Sequence, residues 1–281
     1  MKIYNNFNLK KKHKSSIILI GNFDGVHLGH RKLFDLANKY KKKFKLDIGV
    51  LTFEPMPKMF FNKKIKNFRI SNFDQKLQLL NKLGVDFIIN KKFNNKFSKT
   101  KSLDFIKKII YKKLNVKFLA VSNNFKFGKN RKGNVNLLKI LSKKYNYRLL
   151  NINPFKYSNQ VVSSTKIRNY IKKGQINLAN KLLSRTWSIE GTVRRGKQLG
   201  RELGYRTCNI SVKNYILPRI GIYAVKVLLG KDNKKYGGVA YLGSRPTFGG
   251  KEIFLEINIF GINKNLYKKT LKVYFLRFLR K

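Results

Sequence analysis

The chain has 281 residues, 42% of them hydrophobic and 22 of them Phe, a composition that fits folded domains and excludes a disordered basic tail. That length holds two domains of ordinary size, each with its own core. Against 12 Asp and Glu stand 64 Lys and Arg, a formal charge of +52. The single cysteine, Cys208, excludes an internal disulfide framework and fits a reducing compartment. No apolar run reaches signal-peptide or membrane-span length, so a soluble, cytoplasmic protein with no membrane partner is expected. The charge admits two readings. Localised Lys and Arg bind nucleic acid by releasing counterions from its phosphates. Here the lysines are scattered in twos and threes beside abundant Asn and Ile, as an AT-rich genome imposes. No dedicated nucleic-acid partner is therefore expected, although such a field draws in anionic substrates.

In chain order, Ser16 to Phe23 reads as a strand, and Leu33, Leu36, Ala37 and Tyr40 follow at helical spacing. Asp47 to Phe53 is a second strand, broken off by Pro55 and Pro57. Phe73, Leu77 and Leu80 mark a helix, with Gly84 as its stop before the strand Val85 to Ile89. Leu103, Ile106, Ile110 and Leu114 predict the next helix, Val116 to Val121 a strand, and Leu137, Leu138, Leu141 and Tyr145 one more helix. This βαβα alternation predicts a Rossmann-like α/β domain, a parallel sheet covered on both faces. Ligands of such sheets bind beyond the carboxyl ends of the strands, at a switch point. Helices near Thr165 to Lys172 and Ile176 to Leu183 close this half.

From Trp187 the pattern changes to short strand-like runs: Ser188 to Val193, Thr207 to Val212, Gly221 to Leu229, Tyr236 to Leu242, Ile253 to Ile259 and Leu271 to Phe275. Six strands at this spacing predict a small closed barrel. The boundary is placed at Leu183 to Thr186, giving domains 1–184 and 185–281.

The run GNFDGVHLGH, Gly21 to His30, ends the first long strand and opens a helix. A helix N-terminus offers unpaired N–H groups and partial positive charge to phosphate. His27 and His30 add donors to an α-phosphate, and Gly29 lets the phosphate approach the backbone. Gly21, Asn22, Phe23 and Asp24 form the turn itself. A second polar cluster, Ser163, Ser164, Thr165, Lys166, Ile167 and Arg168, opens another helix; a serine there serves as N-cap, and Arg168 can clamp a leaving pyrophosphate bidentately. Asn123 and Asn124 follow a strand in a turn.

In the second half Gly191, Gly196 and Gly200 punctuate a basic turn that runs into Arg201, and no G-x-x-x-x-G-K-[ST] run occurs. Thr207 and Asn209 alternate along a strand, so their oxygens share a face suited to Mg²⁺ and its phosphates. Glu256 sits among apolar strand residues and is either on a solvated face with Glu252 or a working base.

Four runs, GNFDGVHLGH, TFEPMP at Thr52 to Pro57, NNFKFG at Asn123 to Gly128 and SSTKIR at Ser163 to Arg168, resemble in order the motifs of the bacterial bifunctional riboflavin kinase/FMN adenylyltransferase (FAD synthetase) family. GKQLGRELGYRTCN, GIY at Gly221 to Tyr223, GSRPTFGG and Leu255–Glu256 resemble its kinase half, with Arg206 and Cys208 standing where the family has Pro and Ala. The resemblance implies that His27 and His30 contact ATP phosphates, Asn124 positions the reactants, and Ser164 and Arg168 belong to the second phosphate motif. It further implies that Thr207 and Asn209 bind Mg-ATP and that Glu256 is the base for riboflavin phosphorylation. The expected substrates are riboflavin, FMN and ATP, with Mg²⁺ as cofactor and FAD as product. The family continues into a helix beyond the barrel, whereas this sequence ends just after Phe275 to Arg280. An adenylyltransferase with an impaired kinase is therefore the nearer alternative, and a basic nucleic-acid-binding protein the more distant one.

Overall fold

The structure, a computed structural model, describes residues 1–194, 207–230, 234–247 and 250–281. They pack into two compact units, one of Met1–Ile65 with Asp74–Val162 and one of Lys66–Phe73 with Ser163–Lys281.

The first unit is built on six parallel strands: β1 (Lys2–Tyr4), β2 (Ile17–Ile20), β3 (Ile48–Glu54), β4 (Phe87–Lys92), β5 (Phe118–Ser122) and β6 (Arg148–Ile152). Their order across the sheet is β1-β4-β3-β2-β5-β6. The central strands read as unbroken apolar runs because both faces are covered. On one face Phe34 and Ala37 of α1 (Leu28–Phe44) and Leu80 of α2 (Phe73–Asn81) pack on Ile17, Leu19, Val50 and Ile88. On the other, Phe105, Ile106 and Ile110 pack on Ile18, Leu51 and Ile89. The chain leaves β2 for β3 and β4 on one side and returns to β5 and β6 on the other. The switch point lies between β2 and β5.

Two expectations need correction, and two strands go beyond them. The strand drawn over Ser16 to Phe23 ends at Ile20, because the chain turns there with φ of 47° at Phe23, 78° at Gly25 and 39° at Val26. The edge strands β1 and β6 carry no long apolar run, one being three residues long and the other burying only Leu150, so periodicity does not find them. The helix predicted from Leu103 is π-helical over Phe105–Lys113, and the wider turn leaves Leu103 57% exposed.

The N-terminal segment is fastened by His13, whose buried ring stacks on Phe87 at 4.3 Å and takes a 2.7 Å hydrogen bond from the Tyr4 hydroxyl on Nδ1. Burial lowers its pKa from the ordinary 6.5, with Asp47 opposing the shift. The unfolded chain then binds a proton that the native chain does not, so this contribution is intact above that value and is lost as pH falls below it. Thermal melts at about pH 7.5 and about pH 5.5 are expected to show a lower Tm at the acid end, with a smaller drop in His13→Gln.

In the second unit, α3 (Ser164–Lys172) and α4 (Ile176–Leu183) pack with the barrel, so the unit begins at Ser163, ahead of the change of sequence pattern. The barrel strands are β7 (Ser188–Arg194), β8 (Thr207–Ser211), β9 (Gly221–Leu229), β10 (Lys235–Thr247), β11 (Gly250–Ile259) and β12 (Thr270–Arg280), closed in the order β7-β8-β11-β10-β9-β12. Closure leaves no unpaired edge. Alternation sets the interior, with Tyr223, Val225 and Val227 inward and Ile222, Ala224 and Lys226 outward along β9. The Asn180 amide of α4 accepts from Trp187 N–H at 2.7 Å and donates to the Phe275 carbonyl at 3.0 Å, pinning the helix to the barrel. The segment Lys66–Phe73 is held in the same unit by Trp187 Nε1, which donates to Ile70 O at 2.8 Å, and by Arg69 N, which donates to Asn214 O at 3.0 Å.

Candidate functional site

In the first unit the turn after β2 delivers the chain into α1 with His27 as N-cap, its Nδ1 accepting a 3.4 Å hydrogen bond from His30 N. The two imidazoles stack at 3.7 Å between centroids. His30 also meets the Phe23 ring at 5.2 Å, and Phe23 and Asp24 are buried below the turn while Asn22 is exposed. Val26, a β-branched residue, holds its positive φ only because the surrounding packing fixes it; such strain collects at binding turns. A Cβ on Gly29 would stand 3.3 Å from His27 ring atoms and 3.4 Å from the Val162 carbonyl, so it would press on the histidine ring. The result is a histidine pair on the first turn of a 17-residue helix, where backbone N–H groups point outward.

Across the switch point, the turn after β5 carries Asn123 and Asn124. Asn123 is braced by Asn151 at 2.6 Å and Asn153 at 2.5 Å, and Asn124 Oδ1 accepts from Ser122 Oγ at 2.8 Å. The topology thus puts Gly21 to His30 and the Asn turn at the carboxyl ends of neighbouring strands. An aromatic group outside the motifs follows the ends of β3 and β4. Phe60, Phe61 and Phe93 meet edge to face at 5.2 to 5.7 Å, with Phe61 69% exposed.

In the second unit Ser163 caps α3, its Oγ accepting from Lys166 N at 3.2 Å. Ser164 opens the helix and Thr165 is exposed. Lys166 Nζ lies 5.7 Å over the Tyr170 ring. Arg168 is buried, with Nε donating to Phe68 O at 2.9 Å and its guanidinium 3.7 Å over the Phe68 ring. It is thus engaged with the Lys66–Phe73 segment.

On the barrel, Asn209 and Glu256 are cross-strand partners, and Thr207 lies two residues from Asn209 on the same outward face. Thr207 Oγ1 donates to Glu256 Oε1 at 2.6 Å, which fixes the carboxylate. Asn209 Oδ1 is enclosed and has no hydrogen-bond partner among the described residues. A hard cation takes oxygen donors of this kind and completes its shell with water and substrate phosphate, so the pair Thr207 and Asn209 fits Mg²⁺. The row continues to Arg194 on one side and Tyr241 on the other. The Tyr241 ring occupies the space beside Gly243, where an added Cβ would stand 2.3 Å from it. A cavity of about 430 Å³, lined in part by Thr192, Arg194, Ser211 and Lys213, adjoins this face. Gly196, Gly200, Arg201 and Arg206 lie outside the described residues, as does the side chain of Glu252.

The comparisons with known proteins bear on both halves. A FAD synthetase family model matches residues 9–166 and a riboflavin kinase model matches 183–281. A bifunctional riboflavin kinase/FMN adenylyltransferase of Buchnera aphidicola from Schizaphis graminum is 39% identical over 97% of this chain and 88% of its own. Its counterpart from Escherichia coli K12 is 34% identical over 92% of this chain and 82% of its own. The chain belongs to the bifunctional riboflavin kinase/FMN adenylyltransferase family. A crystal structure described as a macrolide-efflux protein from Streptococcus pneumoniae matches with a TM-score of 0.86 at 29% identity, covering 99% of this chain and 90% of that one. No helix among the described residues is long and apolar enough to cross a membrane.

Other residues of this riboflavin kinase/FMN adenylyltransferase family member lie outside the motifs. Arg194 and Tyr241 extend the Asn209–Glu256 row and carry no sequence signal, since cross-strand register is invisible in a single sequence. Phe60 and Phe61 were hidden among 22 phenylalanines.

Proposed function

We propose that this chain phosphorylates riboflavin to FMN and adenylylates FMN to FAD, with the two activities in modules 1–184 and 185–281. The observation that carries the reading is the pairing of a histidine-capped helix N-terminus at a sheet switch point with a barrel row of Thr207, Asn209 and Glu256.

For adenylyl transfer, an FMN phosphate oxygen forms a bond to the α-phosphorus of ATP while the bond to the bridging oxygen breaks and pyrophosphate leaves. The α1 amides with His27 and His30 meet the growing negative charge on the α-phosphate, and Asn124 orients the reactants. Ser163, Ser164, Thr165, Lys166 and Arg168 are assigned to the pyrophosphate end by the resemblance alone. The rings of Phe60, Phe61 and Phe93 offer an apolar platform suited to a flat isoalloxazine. For phosphorylation, Glu256 takes the proton of the riboflavin primary hydroxyl, held for it by the Thr207 hydroxyl. Thr207 and Asn209 would hold Mg²⁺, which neutralises charge on the transferring phosphate when bound. The Gly196, Gly200 and Arg201 loop is assigned to ATP phosphates by the resemblance alone.

The single cysteine supports a cytoplasmic setting. The even spread of lysine supports small-molecule substrates rather than a dedicated nucleic-acid partner.

The test is a product assay. Purified full-length protein with riboflavin, ATP and Mg²⁺ is expected to give FMN and then FAD by chromatography, and FMN with ATP is expected to give FAD directly. Neither product forming overturns the reading; FAD from FMN without FMN from riboflavin overturns its kinase half.

A further inference from the structure

On the sheet face that carries α1, the apolar ladder ends in two polar residues. Thr52 of β3 and Asn90 of β4 are register partners; Thr52 is fully buried, and Asn90 Oδ1 is enclosed without a hydrogen-bond partner among the described residues. Lys76 of α2 lies against them, 6% exposed, and donates from Nζ to Thr52 Oγ1 at 3.1 Å. The Thr52 hydroxyl stands 3.5 Å from the carbonyl oxygen of Asn22, within the turn that leads to His27. A buried lysine thus connects through one hydroxyl to the backbone of the turn Gly21 to His30.

Lys76 falls among Phe73, Leu77 and Leu80 on the inward stripe of α2, where packing alone would favour Leu or Met. Holding an ammonium at such a position is costly even with good partners. Its presence at the carboxyl edge of the sheet, rather than at the helix surface with most other lysines, points to a use beyond packing.

We propose that Lys76 is a positioning residue for adenylyl transfer, acting through Thr52 on the turn Gly21 to His30. The proposal rests on the FMN adenylyltransferase reading. Its physical content is simple. A trans peptide directs its C=O and the following N–H in opposite directions. Drawing the Asn22 carbonyl toward Thr52 therefore turns the Phe23 N–H away from β3, and prevents a carbonyl dipole from facing an incoming phosphate. The Lys76 charge orients the hydroxyl lone pairs, so that the Thr52 proton is free to point at Asn22. The same charge, held in a poorly solvated place, adds attraction for anionic phosphate at short range.

The experiment compares Lys76→Met, Thr52→Val, Thr52→Ser and the double variant Lys76→Met/Thr52→Val in the full chain, with riboflavin phosphorylation as the internal measure of folding. Lys76→Met is expected to lower kcat for FAD formation from FMN by roughly 100-fold, the scale of a misplaced reacting group, with the KM for FMN little changed. Thr52→Val is expected to lower it in the same manner, Thr52→Ser to restore it, and the double variant to be no worse than the poorer single one. A Lys76→Met protein that makes FAD at the wild-type rate overturns the proposal, as do additive losses in the double variant. Should Lys76→Met fail to fold, Thr52→Val against Thr52→Ser decides the matter, since equal rates for the two exclude the hydroxyl. Wild-type protein that forms no FAD overturns the underlying reading instead, before any variant is compared.

Discussion

Replacing His30 with alanine is expected to reduce FAD formation from FMN by about 1000-fold while leaving riboflavin phosphorylation unchanged, because a transition-state donor is lost from one site only. The structure supplies a control for the neighbouring position. His27 does two things at once: its Nδ1 caps α1, and its ring stacks on His30. Asn is among the preferred N-caps, so His27→Asn retains the cap and removes the ring, whereas His27→Ala removes both and costs about 1 kcal/mol of helix stability in addition. Thermal melts of the two variants should therefore differ while their adenylylation rates fall alike. The measurement is chromatographic FAD formation, run beside the kinase assay on the same preparation. Wild-type adenylylation by His30→Ala would remove the histidine pair from the mechanism.

The second large effect belongs to the barrel. Glu256→Gln keeps the shape of the side chain and an acceptor for the Thr207 hydroxyl, which stands 2.6 Å from Oε1, and it removes only the ability to take a proton. Phosphorylation of riboflavin is expected to drop by about 10²- to 10⁴-fold, the range that general-base catalysis contributes. FAD formation from supplied FMN should persist, so the variant would accumulate FAD from FMN but far less from riboflavin. Thr207→Val tests the holder rather than the base, with the smaller loss expected of a carboxylate freed to rotate. Unimpaired riboflavin phosphorylation by Glu256→Gln would show that Glu256 faces the solvent without a role.

Much of this organisation was legible before any coordinates. The βαβα rhythm and the six barrel runs were visible because burial imposes periods of 3.6 and 2 on apolar residues, and a closed barrel or a covered sheet keeps those periods strong. The turn Gly21 to His30 was visible because glycines and paired histidines stand out between a strand and a helix. What escaped has equally physical causes. β1 and β6 are edge strands, covered less fully than the central ones, and leave only a weak pattern. Lys76 has the same letter as the many surface lysines, and only the packing of α2 separates it from them. Arg168 is legible as a candidate pyrophosphate clamp, but not the stacking of its guanidinium on the Phe68 ring, a contact between residues 100 apart that no local pattern encodes.

That long-range contact is not isolated. The carbonyl of Ile70 is bonded by the indole of Trp187, 117 residues later in the chain. During synthesis the Lys66–Phe73 stretch leaves the ribosome long before the barrel that completes its hydrogen bonds, and must wait for it. The two catalytic halves are consequently not interchangeable cassettes. A gene split at the apparent seam near residue 184 would deprive the barrel of a piece encoded upstream, and a recombinant kinase half would need that stretch returned to it. What sequence presents as two modules in tandem is, for heredity and for biosynthesis, a pair of units the second of which is gathered from two separated stretches of chain.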